Sequence, residues 1–266
     1  QEPGDRLVTA AAPAAGRVAE ATLRTAAETT AERSLAFADF HVHTRYSRDS
    51  LLTEDRLIRL AVERGLTHVA VTNHNNVEGA MAVRDRAAEL GVDDRLHVIL
   101  GEEVSSADGE IVGIFLEETI PRGLSARETA DAIHAQGGLV SIPHPYDPFR
   151  RSHIREAALL GLAEAGQIDA IEVFNSRVTF ARHDEQAAEL ALRYRIPPIA
   201  CSDTHTGMEV AMAFNALPAF SNAKELRAAL QESEWHGTRS TKLIHVATRW
   251  AVWSKAARRR IGQPDR

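Results

Sequence analysis

Two pairs of residues, each spaced two apart, could hold metal ions in this sequence. His41 and His43 form the first pair, and Asp203 and His205 form the second. Residues i and i+2 of an extended strand point to the same side, so each pair can hold one metal ion. Imidazole and carboxylate groups around a divalent ion suit hydrolysis, because the ion lowers the pKa of a bound water. The two pairs therefore predict a hydrolytic metal centre.

Further residues of these types lie between the two pairs. Asp49 lies six residues after His43, in the segment that follows the first pair. Four more groups directly follow short apolar runs: Thr72-Asn73-His74-Asn75, Gly101-Glu102-Glu103-Val104-Ser105, Pro143-His144-Pro145 and Glu172-Val173-Phe174-Asn175.

The short apolar runs alternate with amphipathic segments, which indicates βαβ units and a parallel sheet. The predicted strands are 37–40, 68–72, 96–101, 111–116, 139–142, 170–174 and 198–201. The third and fourth are joined by a hairpin-like Ser-Ala-Asp-Gly, so one unit lacks a helix. Because no nucleotide-type glycine loop is present, seven strands favour a barrel over an open sheet. In such a barrel, active sites form at the carboxyl ends of the strands, where these polar groups fall.

Two predicted helices carry clear end signals. Thr53 begins one helix and Gly65 ends it. Ser125 and Glu128 form a capping box for the other, which ends at Gly137-Gly138.

A single histidine at a strand end is more often a hydrogen-bonded structural residue than a ligand. We assign to that class His68, His97, His134, His153, His236 and His245. Several His and carboxylate groups at one pole of a barrel favour a metal site instead.

The groups Asp39-Phe40-His41-Val42-His43-Thr44, Thr72-Asn73-His74-Asn75, Gly101-Glu102-Glu103-Val104-Ser105, Pro143-His144-Pro145 and Ser202-Asp203-Thr204-His205 resemble the motifs of the PHP (polymerase and histidinol phosphatase) family, in the family's order. The resemblance spans about residues 37–230. It implies a distorted (β/α)7 barrel of the α/β class, with a centre of two or three metal ions at the carboxyl ends of the strands. It also implies hydrolysis of phosphate esters.

The resemblance implies a ligand set by position. His41, His43, Glu103 and Asp203 would hold one ion. Glu103 would bridge to a second ion shared with His144. A third ion would have the ligands Asp49, His74 and His205.

The sequence departs from the family pattern at two places. Many members have a histidine shortly after the Glu motif, whereas Glu110-Ile111-Val112-Gly113 is expected to hold no ligand. The second ion would therefore have fewer protein ligands. The second motif commonly reads Thr-Asp-His, whereas this chain has Asn73, an amide that would orient a neighbouring histidine with less charge.

We expect hydrolysis of a phosphate ester in a small phosphorylated metabolite, a nucleotide or sugar phosphate. The expected nucleophile is a metal-bound hydroxide held by Glu103, His144 and Asp203. Mixed His and carboxylate ligands suit Zn, Mn or Fe more than Mg or Ca. Two alternatives stay open: a phosphodiesterase or exonuclease acting on DNA or a cyclic phosphate, and a catalytically inactive metal-binding scaffold.

Positive groups that could hold the phosphate follow two of the strands. Arg150 lies in the loop after His144, and Arg177 lies in the loop after Asn175. Either arginine could bind a phosphate bidentately. The alternative is that each only pairs with a neighbouring carboxylate, Asp147 or Glu172.

The formal net charge of −6 is unevenly distributed along the 266 residues. Residues 241–266 hold seven basic residues and one acidic residue, so they carry +6 and residues 1–240 carry −12. An acidic body argues against a nucleic-acid partner. A single cysteine, Cys201, rules out a disulfide framework, and the absence of a long apolar run argues against a membrane partner. We expect a cytoplasmic location, although the chain begins with Gln1, and the oligomeric state stays open.

We divide the chain into an Ala-rich helical extension (1–36), a PHP barrel domain (37–235) and a basic C-terminal helix or tail (236–266). The pattern of the tail favours a helix that docks Trp250 and Trp253 on the barrel and leaves its basic end in solvent. The alternative is a helix that binds a membrane surface or nucleic acid.

Overall fold

The computed structural model describes residues 35–150, 152–241 and 243–260. The predicted helical extension 1–36 lies outside these residues, apart from its last two, which belong to the first strand. Among the described residues, no helix combines the length and the apolar character that crossing a membrane requires.

The strands of the described residues form one mixed sheet. They are β1 (Leu35–Val42), β2 (His68–Val71), β3 (His97–Ser106), β4 (Gly109–Ile114), β5 (Leu139–Ile142), β6 (Ala170–Asn175), β7 (Pro198–Cys201), β8 (Ala213–Pro218) and β9 (Glu234–Gly237). Their order across the sheet is β7-β6-β5-β4-β3-β2-β1-β8-β9. Neighbours pair in parallel, except that β4 is antiparallel to β3 and β5, and β8 is antiparallel to β1 and β9.

The helices lie between the strands, as the alternating pattern predicts. They are α1 (Glu54–Glu63), α2 (Glu78–Glu89), α3 (Ala126–Ala135), α4 (Glu156–Glu164), α5 (Ala181–Tyr194), α6 (Ala223–Ala229) and α7 (Leu243–Arg260). The predicted capping box of α3 is present: the Ser125 hydroxyl accepts from Glu128 N at 3.3 Å, and the Glu128 carboxylate accepts from Ser125 N at 2.9 Å. Gly137 follows α3 with a φ of 76°, a left-handed conformation that glycine adopts without strain.

Every predicted strand is present, and two further strands are added. β8 and β9 escape the sequence analysis because one contains Asn215 and ends at a proline, and the other is a short polar segment. β3 is also longer than expected, because its hairpin with β4 continues the pairing from Gly101 to Ser106. The fold is the expected α/β barrel, with antiparallel strands interrupting a strict succession of β/α units.

The barrel is nearly closed by contacts between β1 and the segment after β7. Val42 and Thr204 form a parallel bridge, in which His43 N donates to Thr204 O at 2.8 Å. Further down, the buried side chain of Asn215 lies between the two strands. Its amide nitrogen donates to Ala38 O (3.2 Å) and Ala200 O (2.8 Å), and its oxygen accepts from Ala200 N (3.0 Å). The Asn215 amide thus replaces ladder bonds that the two strands do not make with each other.

The C-terminal helix α7 packs on the barrel, but not through its tryptophans as expected. Ile244, Ala251 and Lys255 are buried, whereas Trp250 is 60% and Trp253 66% exposed. Residues 244, 251 and 255 recur at helical spacing and share one face, and the tryptophans lie off that face. The expectation of docked tryptophans is therefore wrong.

We expect Asn215→Ala to lower the free energy of unfolding by about 3 kcal/mol, because it leaves buried backbone groups of both strands without hydrogen-bond partners. Chemical denaturation followed by circular dichroism would measure this. The exposed helix cap Asn222→Ala is the control, and a loss no larger at Asn215 than at Asn222 would contradict the closing role of the amide.

The buried histidine His68 makes the stability of the fold depend on pH. The ring is buried, 4.3 Å from the Phe220 ring and 4.8 Å from the His97 ring between centroids. Burial, helped by the charge of His97, lowers the pKa of His68 from 6.5 to about 4. The unfolded chain therefore binds a proton in a pH range where the folded chain does not, so stability is lost as the pH falls from 6.5 to 4.

We expect His68→Gln to remove as much as about 3 kcal/mol of the stability difference between pH 7 and pH 4. Urea unfolding at intervals of pH measures the slope for both proteins. Parallel curves for variant and wild type between pH 6.5 and 4 would show that His68 does not contribute.

Candidate metal centre

The predicted ligands come together at the carboxyl ends of the parallel strands. They are supplied by β1 and the loop after it, by the segment after β2, by β3, and by the segments after β5 and β7. The side chains are His41, His43, Asp49, His74, Glu103, His144, Asp203 and His205, all of them buried or half-buried.

Glu103 lies at the centre of this group. Its Oε2 lies 3.0 Å from His74 Nδ1, 3.3 Å from His43 Nε2 and 3.5 Å from His41 Nε2. Its Oε1 lies 3.3 Å from His144 Nε2. The backbone sets up these contacts, because His74 and Glu103 are paired across the end of β2 and β3.

The first predicted ligand set, His41, His43, Glu103 and Asp203, has the spacing of a metal site. Asp203 Oδ1 lies 3.6 Å from His43 Nε2 and 3.9 Å from His41 Nε2, and the two imidazole nitrogens are 3.0 Å apart. Ligand atoms about 2.0–2.1 Å from a tetrahedral ion lie about 3.3 Å from one another. The ligand atoms of His41, His43 and Glu103 lie within 4.8 Å of one another, and Asp203 has the same spacing to His41 and His144.

The third predicted set is also brought together. Asp49 Oδ2 lies 3.3 Å from His205 Nε2 and 3.4 Å from His74 Nε2. The rings of His43 and His205 are 4.3 Å apart between centroids, so this set adjoins the first.

Glu110 belongs to the same cluster, although the sequence analysis expected no ligand in its segment. Its carboxylate lies 3.9 Å from His74 Nδ1 and 4.0 Å from His144 Nε2. It also accepts a hydrogen bond from the Ser152 hydroxyl at 2.6 Å. The signal was available in the hairpin: pairing of β3 with β4 places Glu110 opposite Ser105, two residues from Glu103.

Several buried oxygen and nitrogen atoms of the cluster residues have no hydrogen-bond partner. They are both carboxylate oxygens of Glu103, Oδ1 of Asp49, Oδ1 of Asp203 and Nδ1 of His144. Unpaired buried polar atoms are costly, and buried charges normally pair or coordinate metals. Most of these unpartnered atoms are carboxylate oxygens, which fits a site that binds cations.

Hydrogen bonds behind the cluster orient its rings. Glu172 accepts from His41 Nδ1 at 2.7 Å and from His144 N at 2.9 Å. Ser47 lies between His43 Nδ1 (3.0 Å) and the Asn73 side-chain oxygen (2.8 Å), to which its hydroxyl donates. Asn73 therefore acts on His43 through Ser47, and not only on the neighbouring histidine as expected. Such bonds fix the tautomer that leaves the other ring nitrogen free.

Two of the candidate ligands have left-handed backbone conformations. His144 has a φ of 29° and Asp203 a φ of 53°. Non-glycine residues in this region are strained, and such strain gathers at functional sites, where the surrounding structure holds it. At Asp203 the conformation accompanies the turn from β7 towards β1.

The imidazoles and carboxylates shift one another's pKa values. Burial opposes protonation of His41, but the charges of Glu172 and Asp203 outweigh it and raise the pKa of His41 well above 6.5. Burial, with the charge of His205, lowers the pKa of His43 to about 3. Burial would raise the pKa of Glu103, yet the charges of His41 and His74 hold it well below its ordinary value. The cluster therefore keeps Asp49, Glu103 and Asp203 ionised, whereas burial and the charge of Glu103 raise the pKa of Glu110.

The two predicted phosphate-binding arginines line one cavity of ≈ 390 Å³ with the cluster. The Arg150 guanidinium pairs with Asp203, and its Nε lies 3.7 Å from Asp147. Arg177 Nε lies 3.2 Å from Glu209, and its Nη2 donates to the Thr248 hydroxyl. Both arginines thus have carboxylate partners, which for Arg150 include the predicted Asp147, while both face the cavity.

Glu209 is a site residue for which the sequence pattern offers no signal. It is fully buried and accepts hydrogen bonds from the backbone of His205 (3.1 Å) and Thr206 (2.9 Å), as well as pairing with Arg177. It therefore positions a candidate ligand and a candidate phosphate-binding residue together.

The sequence of this chain is similar to a known domain family and to several known proteins. The family profile of the PHP domain matches residues 39–230. An uncharacterised protein of Methanocaldococcus jannaschii is 36% identical over 149 residues, 52% of this chain and 81% of that protein. A phosphoribosyl 1,2-cyclic phosphate 1,2-diphosphodiesterase of Eggerthella lenta is 25% identical over 250 residues, 63% of this chain and 93% of that enzyme.

A solved structure agrees in fold. A two-domain protein of Bacteroides vulgatus, containing a predicted PHP-like metal-dependent phosphoesterase, has a TM-score of 0.64 and 20% identity. The match covers 77% of this chain and 66% of that one. The family match includes every residue of the cluster and ends before α7.

We expect Glu209→Ala to lower the free energy of unfolding by about 3–5 kcal/mol, because it leaves Arg177 buried without its carboxylate. Glu209→Gln retains hydrogen-bond acceptance and should lose less. The exposed Arg86–Glu89 pair offers a control, Glu89→Ala, and equal losses at Glu89 and Glu209 would contradict the role of the buried pair.

Proposed function

Since this chain belongs to the PHP domain family, and is thus a metal-dependent phosphoesterase, we propose that it hydrolyses a phosphate ester of a small phosphorylated metabolite, a nucleotide or sugar phosphate. The observation that carries the proposal is the shared cavity, in which Arg150 and Arg177 face the His and carboxylate cluster. An anionic phosphate bound there would contact positive groups on one side and the cluster on the other.

The proposed ligand sets follow the geometry of the cluster. His41, His43, Glu103 and Asp203 would hold one ion, and Asp49, His74 and His205 another. Glu103 would also reach a further ion with His144, to which Glu110 adds a carboxylate. Divalent Zn, Mn or Fe suits this mixture of donors, and such ions supply a water of lowered pKa and neutralise charge on phosphoryl oxygens.

The arginines have distinct roles in this proposal. Arg150 pairs with Oδ2 of Asp203, whereas Oδ1 of the same carboxylate faces the imidazoles. Asp203 can thus hold an ion and position Arg150, whose guanidinium lines the cavity and can bind a phosphate. The orientation of the Arg177 guanidinium is fixed by its ion pair with Glu209 and its hydrogen bond to the Thr248 hydroxyl. A fixed guanidinium retains its alignment towards the equatorial oxygens of the phosphate as charge builds on them.

The size of the cavity supports a small substrate. Pockets for small molecules measure about 300–1,000 Å³, and this cavity lies near the lower end at ≈ 390 Å³. Thr248 of α7 forms part of its wall. A helix at that position narrows the access that an extended nucleic acid would need.

Hydrolysis of a cyclic or other small phosphodiester is the second candidate. A second cavity shares Asp49 and His205 with the first and would leave space for another ester substituent. Identity to the Eggerthella lenta phosphodiesterase also favours it.

We expect Asp203→Asn to remove bound metal and to lower kcat/KM at least about 100-fold, because the amide is a poor ligand and loses the charge that pairs with Arg150. Metal content by mass spectrometry and a panel of phosphomonoesters and of cyclic and linear diesters would measure both effects. The control is Asp94→Asn, at an exposed carboxylate that precedes β3, whereas Glu103 lies towards the carboxyl end of that strand.

The circular dichroism spectrum of Asp203→Asn should match that of the wild type. If wild-type protein loaded with Mn, Zn or Fe hydrolyses no member of the panel, the proposed function is wrong.

A further inference from the structure

A second cavity of ≈ 260 Å³ adjoins the candidate centre. It shares Asp49 and His205 with the first cavity, so its floor is part of the proposed ligand set. The rest of its wall is largely apolar and comes from the loop after β1, helix α1, the loop after β7 and helix α7. Its large apolar side chains include Leu51, Met208 and Trp250.

These apolar side chains are unusually exposed. Trp250 is 60%, Met208 62% and Leu51 36% exposed. Exposed apolar side chains gathered beside a polar site mark ligand-binding surfaces. The backbone at Trp250 is held in place by the next residue in the helix, because Ala251 is buried and lines the same cavity. The indole is therefore held by a fixed backbone while its ring is accessible.

We propose that this second cavity is a nucleobase subsite, in which the base of the substrate stacks on the Trp250 indole. The inference rests on the proposed function, because the phosphate of the same molecule would lie in the adjoining cavity between Arg150 and Arg177. A flat aromatic base suits an exposed indole with Met208 and Leu51 beside it, whereas a sugar phosphate presents no such face. The subsite thus selects a nucleotide among phosphorylated metabolites.

A positive side chain completes the subsite. Arg56 lines the cavity and packs so closely over Gly207 that a Cβ there would lie 2.6 Å from its Nε. Its guanidinium can donate hydrogen bonds to ring nitrogens or carbonyl oxygens at the edge of a base. Stacking supplies affinity for any base, and the Arg56 donors favour bases with acceptors on that edge.

Trp253 provides a matched control for Trp250. It is 66% exposed, lies 5.6 Å from Trp250 between ring centroids, and is not among the residues that line the cavity. The two tryptophans lie on the same helix and are similarly exposed to solvent, but only Trp250 lines the cavity.

The kinetic test compares a nucleoside 5′-monophosphate with ribose 5-phosphate. We expect Trp250→Ala to reduce the ratio of the two kcat/KM values about tenfold, because stacking on the base is lost. Trp253→Ala should leave the ratio unchanged, and Trp250→Phe should retain most of it. An unchanged ratio in Trp250→Ala, or an equal loss in Trp253→Ala, would overturn the subsite.

A binding test does not depend on catalysis. Adenosine, which has no phosphate, should quench the tryptophan fluorescence of the wild type saturably, and Trp250→Ala should lose that component while Trp253→Ala keeps it. If Trp250→Ala loses the adenosine signal but the wild type hydrolyses no phosphate ester, the subsite is retained and the proposed function is overturned. If the wild type hydrolyses phosphate esters but Trp250→Ala changes neither the kinetic ratio nor the adenosine signal, the proposed function is retained and the subsite is overturned.

The base could belong to a free nucleotide or to the end of a nucleic acid. Single-stranded oligonucleotides of two and four residues, each with a terminal phosphate, distinguish these sources. A kcat/KM that does not rise with length assigns the subsite to a mononucleotide, and a rise with each added residue assigns it to a strand end.

Discussion

The burial of one carboxylate, that of Glu103, constrains the rest of the structure. Four imidazoles lie within 3.0–3.5 Å of its oxygens, and neither oxygen has a hydrogen-bond partner among the described residues. A buried carboxylate is costly unless positive charge or a metal compensates it. The four imidazoles come from three separate parts of the chain, the end of β1 (His41 and His43), the segment after β2 (His74) and the segment after β5 (His144), so the compensation requires several strands to end at the same point.

The closure of the barrel satisfies that requirement. Because the segment after β7 pairs with β1, Asp203 and His205 come beside His41 and His43, although 160 residues separate the two pairs. The Asn215 amide maintains the same closure lower in the barrel. The strained backbone at Asp203 is a local cost of turning the chain into this contact.

The strands and the cluster could be predicted from sequence because both have a local signature: apolar runs of four to six residues, most of which end beside a His or a carboxylate. Glu110 was missed because its place in the cluster depends on the pairing of β3 and β4, which is a contact between strands. Glu209 was missed because a buried carboxylate that supports other residues has no spacing of its own. The tryptophans of α7 were misplaced for a similar reason, since an amphipathic pattern does not show which of two faces meets the barrel, and here the packed face includes Lys255.

Lys255 shows how α7 is joined to the centre. Its buried amine donates to the backbone carbonyls of Arg45 and Ser47, both at 2.5 Å, in the loop that leads from His43 to Asp49. The helix therefore borders the reaction cavity without supplying any of the clustered imidazoles or carboxylates, and it lies beyond the residues shared with the family. Because Lys255 binds the loop that carries Asp49, the position of α7 and the position of this candidate ligand depend on each other.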